Sequence, residues 1–337
     1  MEIEPFSLPL SRPLGTAAGT IETRRGFLVR VEIEGTPGVG EATPLSGWTE
    51  SLAACEDALR TVDDPGSALA GDRLADTPAA RHAVSLATLD ARARAAGRPL
   101  YRYLGGDGRV ESVPVNATVG DDTPEATADA VEEAVREGYP AVKLKVGSRD
   151  PEADLDRVAA VRSKAPDVDL RLDANGAWSE ATAEGLLPKL ADSGVSVLEQ
   201  PLPAGSLDAH ARLRGRGVDI ALDEGVVERG FDAVLGADAA DVLVCKPMAL
   251  GGIDVARNVV RAARTAGVDA LVTTTIDGAL ARAGAVHLVA SLPGMGPCGL
   301  ATGDLLRTDL RSGVAPVADG AAAVPQGKGN VSPRRTD

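Results

Sequence analysis

Hydrophobic and polar positions along the chain follow two rhythms, and the rhythm changes near residue 110. In the first part, Gly26-Phe27-Leu28-Val29-Arg30-Val31-Glu32-Ile33 alternates apolar and polar side chains, the period of a half-buried strand. Shorter strands are predicted at 6–10 and 38–42, and helical patterns at 50–62 and 79–95. Residues 13–25, rich in Gly, Thr and Ala, are expected to form a loop with few anchors. Residues 1–110 therefore read as one small α+β unit.

From about Val113 onward, short apolar runs alternate with longer helical segments. The runs lie at 113–118, 141–146, 169–173, 195–199, 219–223, 242–246, 271–275 and 298–301, and helical patterns such as 123–137, 152–164, 179–192 and 252–266 lie between them. Strand–helix alternation predicts a parallel sheet, and eight units predict closure into a barrel. The polar tail from Gln326 onward is expected to be loose.

Composition narrows the partners. A length of 337 residues with 44% hydrophobic content supports one large core or two domains. Aromatics at 2% leave no stacking platform for single strands, and a net charge of -14 repels phosphate backbones and anionic membranes, so neither nucleic acid nor membrane insertion is expected. The start, Met1-Glu2-Ile3-Glu4-Pro5, has neither a basic region nor an apolar core, and a cytoplasmic location is expected. Cys55, Cys245 and Cys298 are odd in number and far apart, which fits a reducing compartment better than a disulfide framework. Six lysines stand against 29 arginines, on a strongly acidic background suited to a halophilic setting. Each lysine is informative in such a chain, and Lys143, Lys145 and Lys246 sit in apolar strand contexts.

In a closed barrel the C-terminal ends of the strands share one rim. Five successive strand candidates end there in a charge: Lys143-Leu144-Lys145, then Asp173, Glu199, Asp223 and Lys246, at steps of 28, 26, 24 and 23 residues from Lys145. Asp173, Glu199 and Asp223 together make a hard oxygen-donor set of the kind that holds Mg²⁺, with Mn²⁺ as a substitute. A lysine beside a divalent cation has a lowered proton affinity and can act as a base. Taken singly, an Asp at a strand end is more often a cap for the next helix, and a lysine there is more often solvated. The ordered set of Lys, Asp, Glu, Asp and Lys is what points to chemistry. Glu224 reads either as a ligand in place of Asp223 or as its support. His82, His210 and His287 lie in helical patterns and read as structural.

At these residues the chain resembles the enolase superfamily, in particular its muconate lactonising subgroup. The resemblance implies a (β/α)₇β TIM-like barrel over 111–303 and an N-terminal α+β capping domain over 1–110, with the tail 304–337 packing back on the cap. It implies that Lys145 and Lys246 handle protons, with Lys143 beside Lys145. It also implies that residues 13–25 close over the substrate, and that Thr273, Thr274, Thr275 and Asn175 meet it. Within the subgroup the segments Gly40-Glu41-Ala42-Thr43-Pro44-Leu45-Ser46-Gly47-Trp48-Thr49-Glu50 and Gly299-Leu300-Ala301-Thr302-Gly303-Asp304 look most like the o-succinylbenzoate synthases of menaquinone biosynthesis. The expected reaction is a hydro-lyase step, syn dehydration of 2-succinyl-6-hydroxy-2,4-cyclohexadiene-1-carboxylate. The alternatives are N-acylamino acid racemisation or dipeptide epimerisation on the same scaffold, and a non-catalytic barrel. Dipeptide epimerases of this subgroup usually carry Asp-x-Asp on strand eight, where this chain has Ala301-Thr302-Gly303. A small carboxylate is the expected partner, and homo-oligomerisation is left open.

Overall fold

The computed structural model describes residues 1–16 and 19–332. Strands β1 (Glu2–Thr16), β2 (Gly19–Ile33) and β3 (Thr36–Ala42) form an antiparallel sheet in that order. Phe27, Val29 and Val31 share one face of β2 and pack with Ala80, Ala83, Val84 and Ala87 of the helix Pro78–Ala95. β3 lies against that helix because Gly38 and Gly40 have no side chains. A Cβ there would stand 2.0 Å from the Ala87 carbonyl oxygen and 1.9 Å from that of Ala83.

The loop expected at 13–25 is corrected. Residues 13–16 continue β1 and 19–25 begin β2, in a long hairpin whose register breaks between Pro9 and Leu14. Residues 17 and 18 lie outside the described residues. Thr20, Ile21 and Thr23 favour extended backbone, and Arg24 is buried on three backbone carbonyls, an anchor that composition does not reveal.

The run at 113–118 divides into β4 (Ser112–Pro114) and β5 (Asn116–Val119). Parallel pairing then continues through β6 (Ala141–Lys145), β7 (Asp169–Asp173), β8 (Val195–Glu199), β9 (Asp219–Leu222), β10 (Val242–Cys245) and β11 (Asp269–Val272), neighbours in chain order. β4 pairs instead with β13 (Ala321–Ala323), which also pairs with β12 (Val317–Ala318). The eighth strand predicted at 298–301 shrinks to two parallel bridges, Cys298 to Val115 and Gly299 to Thr273, which close the sheet. Gly299 is required at that seam, since a Cβ would meet Thr273 Oγ1 at 2.5 Å. The result is a parallel α/β barrel of TIM type under an α+β cap.

Helices follow the strands with side-chain caps. Thr123, Asp150 and Ser179 accept the backbone N–H of Ala126, Glu152 and Thr182, and Pro124 and Pro151 occupy first turns where no N–H is needed. Each helix therefore starts within a few residues after its strand, which keeps the strand ends on one rim. Among the described residues no helix is long and apolar enough to cross a membrane.

The expectation of a loose tail is also corrected as far as Ser332. Asn330 is 1% exposed; its N–H donates to Asp90 Oδ1 at 2.6 Å, its Nδ2 to the Leu280 carbonyl at 2.9 Å, and its own carbonyl lies 2.7 Å from His287 Nε2. A polar segment is held here because its buried groups find partners. Residues 333–337 lie outside the described residues. The rings of His82 and His210 likewise bond backbone oxygens, as their structural reading expects.

Asp90 accepts from Val39 N and Asn330 N and pairs with Arg94 at 2.9 Å. Its replacement leaves the Val39 and Asn330 N–H groups without that acceptor and Arg94 with only the Val331 carbonyl. Asp90→Ala is expected to cost about 3 kcal/mol, read as a lowered urea midpoint; a loss below about 0.5 kcal/mol would show that this joint is not a structural tie.

Candidate active site

Side chains at i and i+2 of a strand share a face, so Lys143 and Lys145 leave β6 on the same side. Asp173 ends β7, Glu199 ends β8, and Asp223 and Lys246 follow β9 and β10 directly. The register aligns Lys145 with Asp173 and Asp173 with Glu199. The five predicted strand ends therefore converge.

Their geometry is a cluster of ammonium and carboxylate groups. Lys143 Nζ is 3.0 Å from Asp173 Oδ2 and 3.0 Å from both oxygens of Glu199. Lys145 Nζ is 2.5 Å from Asp173 Oδ2 and 2.8 Å from Asn175 Oδ1. Lys246 Nζ is 2.5 Å from Asp223 Oδ2 and lies over the Trp48 ring, 3.2 Å from its centroid. Asp173, Glu199 and Asp223 are each at most 3% exposed.

The protonation of the cluster follows from burial set against these charges. Burial alone would push the Lys143 ammonium down, but Asp173, Glu199 and Asp223 outweigh it and hold Lys143 protonated. Burial would raise Asp173, yet Lys143 and Lys145 together hold it below the usual carboxylate range. Glu199 is raised to about 7, first by burial and then by the negative charge of Asp173. Burial raises Asp223 against the pull of Lys246.

Supporting contacts fix the strand ends. Arg157, fully buried, donates to the Lys145 carbonyl at 2.7 Å and to Asp154 at 3.0 Å. Asn175, in left-handed backbone at φ 44°, passes its amide to Glu224 Oε1 at 3.0 Å, so Lys145, Asn175 and Glu224 form a chain. Gln200, fully buried, accepts the N–H groups of Asp223 and Gly225 and sets the turn after β9.

Thr273, Thr274 and Thr275 lie together, but each hydroxyl already has an internal partner. These are the Gly299 carbonyl, the Thr302 hydroxyl and Asp277 Oδ1, respectively. Sequence reasoning missed Gln200 and Trp48 as contributors. The scarcity of aromatics was the available signal for Trp48. A cavity of about 530 Å³ between the outer face of the cap sheet and the C-terminal segment, lined in part by Phe6, Leu28, Leu310 and Val331, includes none of these charged residues.

Among the described residues no group of three or more His, Cys, Asp or Glu side chains stands close enough to hold a metal ion in this arrangement. The physical reason is visible: ammonium groups sit between the carboxylates. The donor chemistry nevertheless suits a hard divalent cation. Asp223 Oδ1 is buried with no hydrogen-bond partner, as is Glu224 Oε2. Three lysines stand against the carboxylates of Asp173, Glu199, Asp223 and Glu224, and an added divalent cation would tip the pocket positive and match it to an anionic substrate.

Residues 126–330 match the family described as enolase C-terminal domain-like. The L-Ala-D/L-Glu epimerase of Bacillus subtilis is 30% identical, over 93% of this chain and 90% of that protein. A chloromuconate cycloisomerase of Cupriavidus necator is 28% identical over 88% and 86%. Among solved structures, the dipeptide epimerase of Enterococcus faecalis complexed with Mg and the dipeptide L-Leu-L-Tyr superposes with a TM-score of 0.88 at 27% identity, over 98% of this chain and 97% of that one.

The balance within the cluster can be tested through stability. Glu199 binds its proton more tightly in the fold, at about 7, than its ordinary value of 4.5. Between those values the native state carries the extra proton, so stability falls as pH rises through the window. Lys143→Met removes the ammonium between Glu199 and Asp173 and extends the window upward. The urea midpoint should then drop from about pH 5 to about pH 8 by more than in the parent; an equal drop would show that Lys143 does not govern Glu199.

Proposed function

The chain belongs to the enolase superfamily, and on that premise we propose that it is an acid–base enzyme that moves a proton at the carbon next to a substrate carboxylate. The proton-handling groups are Lys145 and Lys246, and Asp173, Glu199 and Asp223 hold Mg²⁺ or Mn²⁺. The Mg-complexed epimerase of like fold supports the cation, as does the partnerless Asp223 oxygen. When bound, the cation supplies positive charge against the negative charge that proton loss places on the substrate carboxylate. Residues 1–110 with the tail 304–337 are read as the cap, and 111–303 as the catalytic barrel.

The observation that carries the reading is the placement of the two lysines on either flank of the same carboxylates, Lys145 at Asp173 and Lys246 at Asp223. A carbon held between them loses its proton to one ammonium-forming amine and regains one from the other, which inverts it. Asn175, backed by Glu224, orients Lys145. Lys143 remains an ammonium and holds Asp173 and Glu199 together. With epimerases among the relatives, the favoured substrates are N-acylated amino acids, dipeptides included, and the reaction is racemisation or epimerisation.

One observation favours a second reading, the syn dehydration that yields o-succinylbenzoate. The segment Ala301-Thr302-Gly303 offers no carboxylate for a substrate ammonium. Asp304 is exposed in a turn beside the cap, where its carbonyl takes the Ser11 hydroxyl at 2.9 Å. That dehydration needs one acid–base lysine, Lys145, which takes the proton and returns it to the leaving hydroxyl on the same face. Lys246 then serves as a fixed positive charge.

Two measurements separate the readings. Proton NMR in deuterium oxide should show α-carbon exchange and inversion with N-acyl amino acids or dipeptides, whereas ultraviolet absorbance follows the aromatic product of dehydration. In the two-base reaction, Lys145→Arg and Lys246→Arg each lose on the order of 10²–10⁴-fold; in the one-base reaction Lys246→Arg keeps more activity than Lys145→Arg. Absence of both reactions overturns the proposal. Calorimetric titration should show Mg²⁺ affinity rising with pH through about 7, as Glu199 loses its proton, and Asp173→Asn should abolish binding. Full turnover in excess chelator would exclude the cation.

A further inference from the structure

Trp48 is carried by the cap and Lys246 by the barrel, yet the Lys246 ammonium lies 3.2 Å from the centre of the Trp48 ring. That contact needs the segment after β3 to be set against the barrel with little slack. Glu50 fixes one end of the segment, its carboxylate accepting Ala79 N and Ala80 N at 3.0 and 2.9 Å. Within it, Trp48 N and Thr49 N both donate to the Leu45 carbonyl, and Leu45 N returns a bond to Thr49 Oγ1 at 2.8 Å.

The other end is held by one side chain from the neighbouring strand. Arg24, 3% exposed, donates Nη2 to the Thr43 carbonyl at 2.7 Å, Nη1 to the Pro44 carbonyl at 3.1 Å and Nε to the Ile276 carbonyl at 3.2 Å. Thr43 and Pro44 begin the segment that bears Trp48. Ile276 belongs to the turn after β11, where it sits in left-handed backbone at φ 60°, unfavourable for a β-branched residue. A planar guanidinium spreads its donors over three nitrogens in a fixed fork and so reaches three separate carbonyls, where an ammonium has all its donors on one nitrogen. Glu41 ties the same two segments, accepting from Thr43 Oγ1 at 2.5 Å and from the N–H groups of Gly278, Leu280 and Ala281.

We propose that Arg24 is a positioning residue for Lys246: it joins the start of the cap segment to the turn after β11 and so fixes the Trp48 ring over the Lys246 ammonium. Arg24 touches neither the lysines nor the carboxylates; it acts through Trp48. The functional consequence rests on the reading of Lys246 as a proton-handling group. The structural claim does not, and it is tested without turnover.

The chain has two tryptophans, Trp48 and Trp178. Full-length protein grown with 5-fluorotryptophan gives two fluorine resonances, assigned by Trp48→Phe. Lys246→Met should move the Trp48 resonance and leave that of Trp178 in place. Arg24→Gln should also displace the Trp48 resonance, and adding Lys246→Met to it should produce no further movement, because the ring no longer lies over residue 246. The unmoved Trp178 resonance reports that the barrel is intact. Arg24→Lys keeps the buried charge and reaches fewer carbonyls, so it should give an intermediate displacement and serves if the glutamine variant does not fold. A Trp48 resonance that stays in place in the folded Arg24 variants, or that still responds fully to Lys246→Met in them, would overturn the proposal. If these shifts appear while the enzyme shows neither proposed reaction, the positioning stands and the assigned chemistry fails.

Discussion

Three carboxylates brought within reach of one another and shut away from water repel, and that repulsion organises the rim of this barrel. Asp173, Glu199 and Asp223 are buried there without histidine or backbone donors in sufficient number to carry their charge. The compensation comes from lysines on the flanking strands, and Asp173 Oδ2 alone receives two of them. Loss of one partner of a buried pair exposes the full desolvation cost of the other. The carboxylates and lysines are therefore one unit. A chain with six lysines places three of them in that unit, which reflects where positive charge is needed rather than where it is tolerated.

The same constraint shapes the cap. An exposed rim of this kind would let water screen every interaction in it. The cap covers it through apolar packing, with Leu86 joining the barrel core and Met248 and Ala281 joining that of the cap, and through buried polar joints. Glu41 accepts at the start of the helix Ala279–Ala290, Asp90 holds the tail at Asn330, and Arg24 bridges carbonyls from both sides. Burial raises Glu41 to about 7, with the charge of Asp277 adding to it, while the donors Thr43, Ala281 and Gly278 oppose the shift. Directional bonds of this sort fix the cap in register, where apolar contact alone would leave it free to slide.

Much of the fold and of the candidate site was legible in the sequence because it is governed by period and spacing. The alternation of apolar runs with helical patterns marks the barrel, and steps of 23 to 28 residues between Lys145, Asp173, Glu199, Asp223 and Lys246 place them on one rim, since each strand–helix unit returns the chain to the same end. The helix starts at Thr123, Asp150 and Ser179 were also written locally, in caps and prolines. Family resemblance added the layout of the cap and pointed to a dehydratase, whereas epimerases stand among the relatives; local motifs separate the two poorly because both reactions begin with the same proton abstraction.

The tertiary structure decided what depends on partners distant in sequence. Residues 13–25 look like a loop by composition, yet 13–16 and 19–25 lie in paired strands, and Arg24 is anchored on carbonyls at Thr43, Pro44 and Ile276. The tail looks loose and is held because Asn330 meets Asp90, Leu280 and His287. The eighth strand shrinks to two bridges, at Cys298 and Gly299, whose partners Val115 and Thr273 lie far away in sequence. The threonines at 273–275 spend their hydroxyls internally, and a tryptophan of the cap covers a lysine of the barrel. Local pattern determines which elements form and which residues share a rim; the pairing of buried polar groups is set only when the folded chain brings a donor from one segment to an acceptor in another.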